Sequence, residues 1–236
     1  MRKVRVPLAD LVEGDRALGP EAAHYIGDVL RLGPGARFVA FDPATHLEAE
    51  AEVVSHLRIR VGAPAKGRVI AAAPLVVVYA LAKGDKVDAT VRDATELGAT
   101  RIVLAETARA VVKATDRIEK KRDRWTKIAE EAARQCGRVD PPEVLGPLPW
   151  KEALAAAGDV TGYCLDPHAS EPLGASLPSA IGNALAFAIG PEGGLSAEEI
   201  AAAVSAGFRP VTLGPFVLRT ETVAAAVLGA VRILSV

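Results

Sequence analysis

The sequence predicts an α/β protein in two parts: a small β-rich module over residues 1–68 and a parallel α/β domain over 69–236. Three observations support this division. The first part is cut into short alternating segments by Gly/Pro turns, whereas from Pro74 onward apolar strands alternate with helical segments. Two of the later strands also run directly into loops poor in side chains, Ala188-Ile-Gly-Pro-Glu-Gly-Gly-Leu-Ser196 and Leu213-Gly-Pro-Phe-Val-Leu-Arg-Thr-Glu-Thr222, each leading into a helix. In an open α/β sheet, ligands sit beyond the carboxyl ends of the strands, where these loops fall.

In the first module, residues 37–42, 46–54 and 57–61 alternate apolar and polar or are rich in β-formers, with turns at Gly33-Pro-Gly35, Asp42-Pro43 and Gly62-Ala-Pro64. One helix is expected over 20–30, with Glu21 early and Gly33 beyond its end. The elements together suggest a small barrel, and residues 65–74 form a connection. Residues 75–82 then read as a continuous apolar strand, the pattern of a strand covered on both faces. A helix over 85–97 ends at Gly98, a strand covers 101–105, and a charge-rich helix runs over 117–137. A short helix follows over 149–157, with strands over 160–165, 184–189 and 210–213. Ser196-Ala-Glu-Glu199 has the capping-box spacing and opens a helix to about 206. The final helix, 221–234, is apolar nearly all round, which predicts burial in a core or a subunit interface.

Half of the residues are apolar, yet no run approaches the ~20 needed to span a bilayer, and the basic N-terminus lacks a signal-peptide core. Cys136 and Cys164 show no pairing or metal-ligand spacing, so two thiols in a reducing, cytoplasmic setting are expected. The net charge of −1 excludes a globally basic nucleic-acid binder. It conceals an asymmetry, because 109–138 hold ten basic and five acidic residues whereas 152–236 hold three and eight. A local basic face or a solvated amphipathic helix both fit that pattern.

Familiar fingerprints fail. There is no G-x-x-x-x-G-K-S/T phosphate loop, no G-x-G-x-x-G after the first α/β strand and no G-x-S-x-G elbow. His24, His46, His56 and His168 are scattered without metal-ligand spacing, and no metal is expected. What remains are the two glycine loops and a third strand end, Leu165-Asp-Pro-His168. Their backbone groups suit an adenine and an amino-acid tail, with glycine allowing close approach. The simpler reading of Gly193-Gly194 is a turn into a helix.

Taken together, Gly190-Pro-Glu-Gly-Gly-Leu-Ser196 and Leu213-Gly-Pro-Phe-Val-Leu-Arg-Thr-Glu-Thr222 resemble the paired signature of the SPOUT class of S-adenosylmethionine-dependent RNA methyltransferases. Within that class the chain is most similar to the family that methylates N3 of a uridine in 16S ribosomal RNA of the small subunit. His24-Tyr-Ile-Gly-Asp-Val-Leu-Arg-Leu-Gly33 looks like that family's PUA-like N-terminal barrel. Ala82-Lys-Gly-Asp-Lys86, Thr95-Glu-Leu-Gly98 and residues 124–138 look like its middle segments. The resemblance implies a trefoil knot in the C-terminal domain, a bent methyl donor held by the knot's loops, and a homodimer that completes the site. It implies an adenosylmethionine pocket lined by Leu165, Ile189, Gly190, Gly193 and Gly194 from the first two strand ends. Leu213, Gly214, Phe216, Leu218 and Thr220 would line it from the third. The sequence departs from the family where Phe216 replaces a usual basic residue and where Thr107-Ala-Arg-Ala-Val111 lacks a usual serine.

For such chemistry, Arg219 is the expected stabiliser of a uridine anion, with Glu192 or Glu221 as proton acceptor or orienter. Glu221 equally suits a helix N-terminus as a carboxylate facing the macrodipole. Arg31, Lys83, Lys86, Arg109, Arg134 and Arg138 are the candidate RNA contacts. Two alternatives stay open: a related RNA methyltransferase acting on ribose 2′-oxygen or guanine N1, and a non-catalytic RNA-binding or ribosome-assembly factor.

Overall fold

The computed structural model describes residues 4–70, 73–110 and 118–235. Its contacts separate into two units, Met1–Ile70 with Ala133–Pro141, and Ala71–Ala132 with Pro142–Val236.

The first unit carries strands β1 (Arg5–Pro7) and β2 (Gly14–Ala17), then helix α1 (Pro20–His24), continued by a wider helical turn over Tyr25–Val29. Strands β3 (Arg37–Asp42), β4 (Leu47–Ser55), β5 (Arg58–Val61) and β6 (Ala65–Lys66) follow. Period-two patterning fixes which face is buried: Ala49, Ala51 and Val53 of β4 point inward, while Glu48, Glu50 and Glu52 do not. The sheet runs β1-β3-β4-β5-β2, with β6 also pairing β4. This path is open, so the expected closed barrel is not formed among the described residues. Its end strands are only three and four residues long, and β2 is largely exposed. Ala23 and Ile26 of the helical segment pack with Phe38, Ile59 and Val61 of the sheet.

The second unit alternates strand and helix: β7 (Leu75–Ala80), α2 (Lys86–Glu96), β8 (Arg101–Glu106), α3 (Ile118–Cys136), β9 (Glu143–Pro149), α4 (Trp150–Ala155), β10 (Thr161–Leu165), α5 (Leu173–Ala180), β11 (Leu185–Ile189), α6 (Ala197–Ser205), β12 (Phe208–Val211) and α7 (Thr220–Leu234). The sheet order is β12-β10-β11-β7-β8-β9, parallel throughout. Every residue of β7 and β11 is buried, because helices cover both faces. Val77, Tyr79 and Phe187 face Val91 of α2, Trp125 of α3, Leu177 of α5 and Val227 of α7. Val76, Val78 and Ala188 face Trp150 and Leu154 of α4 and Ala203 of α6.

In the first unit β1, β2 and β6 were not anticipated, and in the second β9 and α5 were not. β9 contains Pro147 and Pro149, and its place at the sheet edge tolerates residues that cannot donate to a ladder. α5 contains Pro178 and so carries no clean helical signal, yet it buries Leu173 and Leu177. β12 lies two residues earlier than its apolar run suggested, which frees Thr212 and Leu213 for the loop. The capping box of α6 is present, with Ser196 Oγ accepting from Glu199 N at 3.2 Å and Glu199 Oε2 accepting from Ser196 N at 2.8 Å. The final helix is one-sided: Ala224, Val227, Leu228 and Val231 are buried, whereas Ile233 and Leu234 are exposed.

Phe187, fully buried at the centre of the sheet and stacked on Tyr163 with ring centroids 5.6 Å apart, tests this core. Phe187→Ala should lower unfolding free energy by about 3–5 kcal/mol in denaturant titration; a loss well under 1 kcal/mol would contradict the packing described.

Candidate functional site

The carboxyl ends of β10, β11 and β12 open into a cavity of about 800 Å³, in the size range of small-molecule sites. Leu165, Ile189 and Val211 form its floor, and the loops that follow each strand form its walls. The loop after β11 is drawn tight by its own composition. A Cβ at Gly190 would lie 2.8 Å from Leu195 Cγ, and Gly194 takes φ +70°, where a side chain is strained. Gly214 plays the same part after β12, with φ +133°. There Thr212 Oγ1 donates to Gly214 O at 3.1 Å.

Two side chains brace the first loop. Arg109 donates from Nη1 to Gly193 O (3.0 Å) and Leu195 O (3.2 Å). The buried Glu199 accepts from Ala108 N at 2.7 Å while closing its capping box, and its carbonyl accepts from Trp150 Nε1 at 2.9 Å. The loop is therefore fixed to the segment after β8 from both sides. At the third strand end, Asp166 N donates to Val211 O (3.0 Å), and Asp166 Oδ1 accepts from His168 N (2.9 Å).

The polar side of the cavity is organised around Lys86, at the first turn of α2. Its Nζ lies 3.0 Å from Glu192 Oε1 and 3.5 Å from Glu221 Oε2. Behind Glu221, Thr220 Oγ1 donates to Oε2 (3.2 Å) and accepts from the buried Tyr79 hydroxyl (2.9 Å). Partial burial pushes the Glu192 carboxyl upward, but its own N–H, the Lys86 ammonium and the Lys83 N–H outweigh this and hold it below the usual glutamate range. The Glu221 carboxyl is held low first by its own N–H, with Lys86 and the Thr220 hydroxyl adding to the effect against burial. Hydrogen bonding to Glu192 in turn raises Lys86. The triad is thus ionised throughout the neutral range.

Of the residues named from sequence, Leu165, Ile189, Gly190, Gly193 and Gly194 line the cavity, as do Leu213, Phe216, Leu218 and Thr220. Glu192, Arg219, Lys86 and Arg109 line it too, whereas Gly214 and Glu221 stand just behind the lining. Arg219 precedes the first turn of α7, exposed, its carbonyl accepting from Val223 N and its guanidinium without an intramolecular partner among the described residues. The candidate RNA contacts divide. Arg31 and Lys83 are exposed, but Lys86 and Arg109 are engaged as described, and Arg134 donates to the Tyr25 hydroxyl at 2.8 Å while lying over its ring. Arg138 is 3% exposed and paired with Asp140 at 3.1 Å; it is a buried structural cation, not a surface for phosphate. Sequence reasoning did not single out Thr212, Val217 or Val223, which also line the cavity. Val217, like Asp166, Pro167, His168, Pro191 and Leu195, lies inside a loop motif that the sequence marked, whereas Thr212 and Val223 lie outside them. Cys164, beneath the floor, has its thiol pushed by burial up to about 12, which excludes a ready nucleophile. No group of side chains suited to a metal occurs among the described residues, nor is any described helix long and apolar enough to cross a membrane.

Comparison with known proteins places this geometry in a family. Residues 71–232 match the family model of the RNA methyltransferase domain. The chain is 32% identical over 219 residues to the ribosomal RNA small subunit methyltransferase E of Bacillus subtilis, covering 86% of this chain and 83% of that protein. A methyltransferase from Legionella pneumophila, solved in complex with the cofactor SAM, superposes with a TM-score of 0.89 at 29% identity, covering 99% of this chain and 98% of that one. The ribosomal RNA small subunit methyltransferase E from Neisseria gonorrhoeae, solved bound to S-adenosyl methionine, gives 0.85 at 28%, with the same coverage. A match through the whole strand-end site and a relative above 30% identity across most of the chain lead to one conclusion: this protein belongs to the RNA methyltransferase family, among the ribosomal RNA small subunit methyltransferase E proteins.

Proposed function

We propose that this chain transfers a methyl group from S-adenosylmethionine to N3 of a uridine in the 16S ribosomal RNA of the small subunit. The observation that carries the reading is the cavity at three parallel strand ends, walled by glycine loops, with the unpaired Arg219 at its edge. The residues present fit the donor. Gly190, Gly193 and Gly194 bring main-chain groups close, Leu165, Ile189, Leu213 and Leu218 offer apolar contact to an adenine, and Thr220 adds a hydroxyl. When bound, S-adenosylmethionine supplies an electrophilic sulfonium methyl group.

The protein's own share is placement and charge. Uridine N3 is a weak acid whose anion spreads charge onto O2 and O4, and the Arg219 guanidinium stabilises that charge at the cavity edge. Glu192 and Glu221, held ionised by Lys86 and by main-chain N–H groups, are weak proton acceptors. Their role is to fix Lys86 and the two loops, and the N3 proton passes to solvent. N3 lies on the pairing edge, so the base enters unpaired.

Finer features of the family reading are part of the same proposal: a trefoil knot, a PUA-like RNA-binding role for the first unit over about 1–68, and a homodimer. β10 lies between β11 and β12 although it precedes both in sequence, which favours a threaded C-terminal segment. The exposed Ile233 and Leu234 ending α7 favour a covering second copy, which the mass in solution tests.

Mass spectrometry of 16S ribosomal RNA from a deletion strain should show one uridine lacking an N3 methyl; loss instead of a ribose or guanine methyl would replace the substrate assigned. Arg219→Ala should lower kcat by about 10²–10³-fold with donor Kd little changed, and a parallel weakening of donor binding would remove its catalytic role. Log kcat/KM should climb with pH from neutral to alkaline as N3 ionises, because both carboxylates are already charged there. Glu192→Gln should keep that slope, whereas a profile already flat in the parent chain, with kcat collapsing in Glu192→Gln, would make Glu192 the base.

A further inference from the structure

The chain has five Phe, three Tyr and two Trp. Eight of these rings are buried, and Tyr25 is half-buried with the Arg134 guanidinium over its face. Phe216 alone stands out, 80% exposed, beside Val217, also 80% exposed, and both line the cavity. The ring is carried on a short tether. β12 ends at Val211, the Thr212 hydroxyl holds Gly214 O, and α7 starts at Thr220, so few residues separate two anchored points. Arg219 lies three residues along the same loop.

A base that leaves its helix loses its stacking partners, and proteins that hold such bases replace those partners with aromatic faces. Every other ring on this chain is occupied by packing or by an arginine. We propose that Phe216 is the stacking platform for the extruded uracil, holding it at the cavity mouth beside Arg219. This rests on the substrate class given above and adds the residue that grips the base. A valine beside a free aromatic ring is matched by the flat, weakly polar face of a pyrimidine, and Arg219 complements the charge of the strand that carries it.

The test compares Phe216→Ala, Phe216→Leu and Phe216→Trp for RNA KM, donor Kd by calorimetry, mass by light scattering, and binding of a fluorescent single-stranded uridine oligonucleotide. Phe216→Ala and Phe216→Leu should raise RNA KM and weaken oligonucleotide binding roughly ten- to a hundredfold, the range for one lost stacked base. Phe216→Trp should restore both, with donor Kd and mass unchanged throughout. Leucine performing as well as phenylalanine would show a merely apolar cover, and unchanged RNA binding in all three would remove the role. Donor Kd rising with the RNA effect would assign Phe216 to the donor, and a fall in mass would assign it to a second copy; either overturns the proposal. If the parent chain transfers no methyl group while its oligonucleotide binding still depends on an aromatic residue 216, the platform stands and the proposed reaction falls.

Discussion

The double grip on the loop after β11 is the constraint on which the site depends. Parallel strands buried on both faces leave main-chain groups unpaired only at their ends, and a loop there must be held or it will close on itself. Here Arg109 donates to two carbonyls of the loop, and the buried Glu199 carboxylate ties the same loop to Ala108 while capping α6. Charge-assisted bonds of this kind are stronger than neutral ones, and burial of the carboxylate limits competition from solvent. The cavity is thus preorganised by one side chain that lines it, Arg109, and one that does not, Glu199.

Charge is distributed around the cavity with a similar economy. Lys86 bridges Glu192 of the loop after β11 and Glu221 in the first turn of α7, and so links that wall to the helix. A pair of carboxylates without it would repel, which raises the proton affinity of each. With it, both remain ionised, and Arg219 is the cavity-lining cation without a side-chain partner among the described residues. An acidic C-terminal half thus presents beside the cavity both a carboxylate pair held by Lys86 and a guanidinium, so its net charge alone does not describe the site.

The strand–helix alternation from Pro74, the capping box at Ser196 and the two glycine loops were legible because each depends on local rules of periodicity, capping and allowed dihedral angles. β9 and α5 were not, since proline in both masks their pattern and only the sheet edge and the surrounding core make room for them. The barrel inferred for the first module failed for a related reason. Alternation indicates which face of a strand is buried but not which strands pair, and β1 and β2 stand at opposite ends of an open path.

Basic residues show most sharply where sequence stops. Arg109, Arg134 and Arg138 read alike in the chain, yet one braces a loop, one lies on Tyr25 and one is buried against Asp140. The sequence by itself determined the α/β class, the location of the site at strand ends and the glycines that shape it, because these follow from neighbours close along the chain. Tertiary structure alone decided which charges are spent on one another and which face solvent. Coulombic and hydrogen-bond partners lie tens of residues apart, and only folding brings Lys86 to Glu192 or leaves Arg219 and Phe216 unmatched at the cavity mouth.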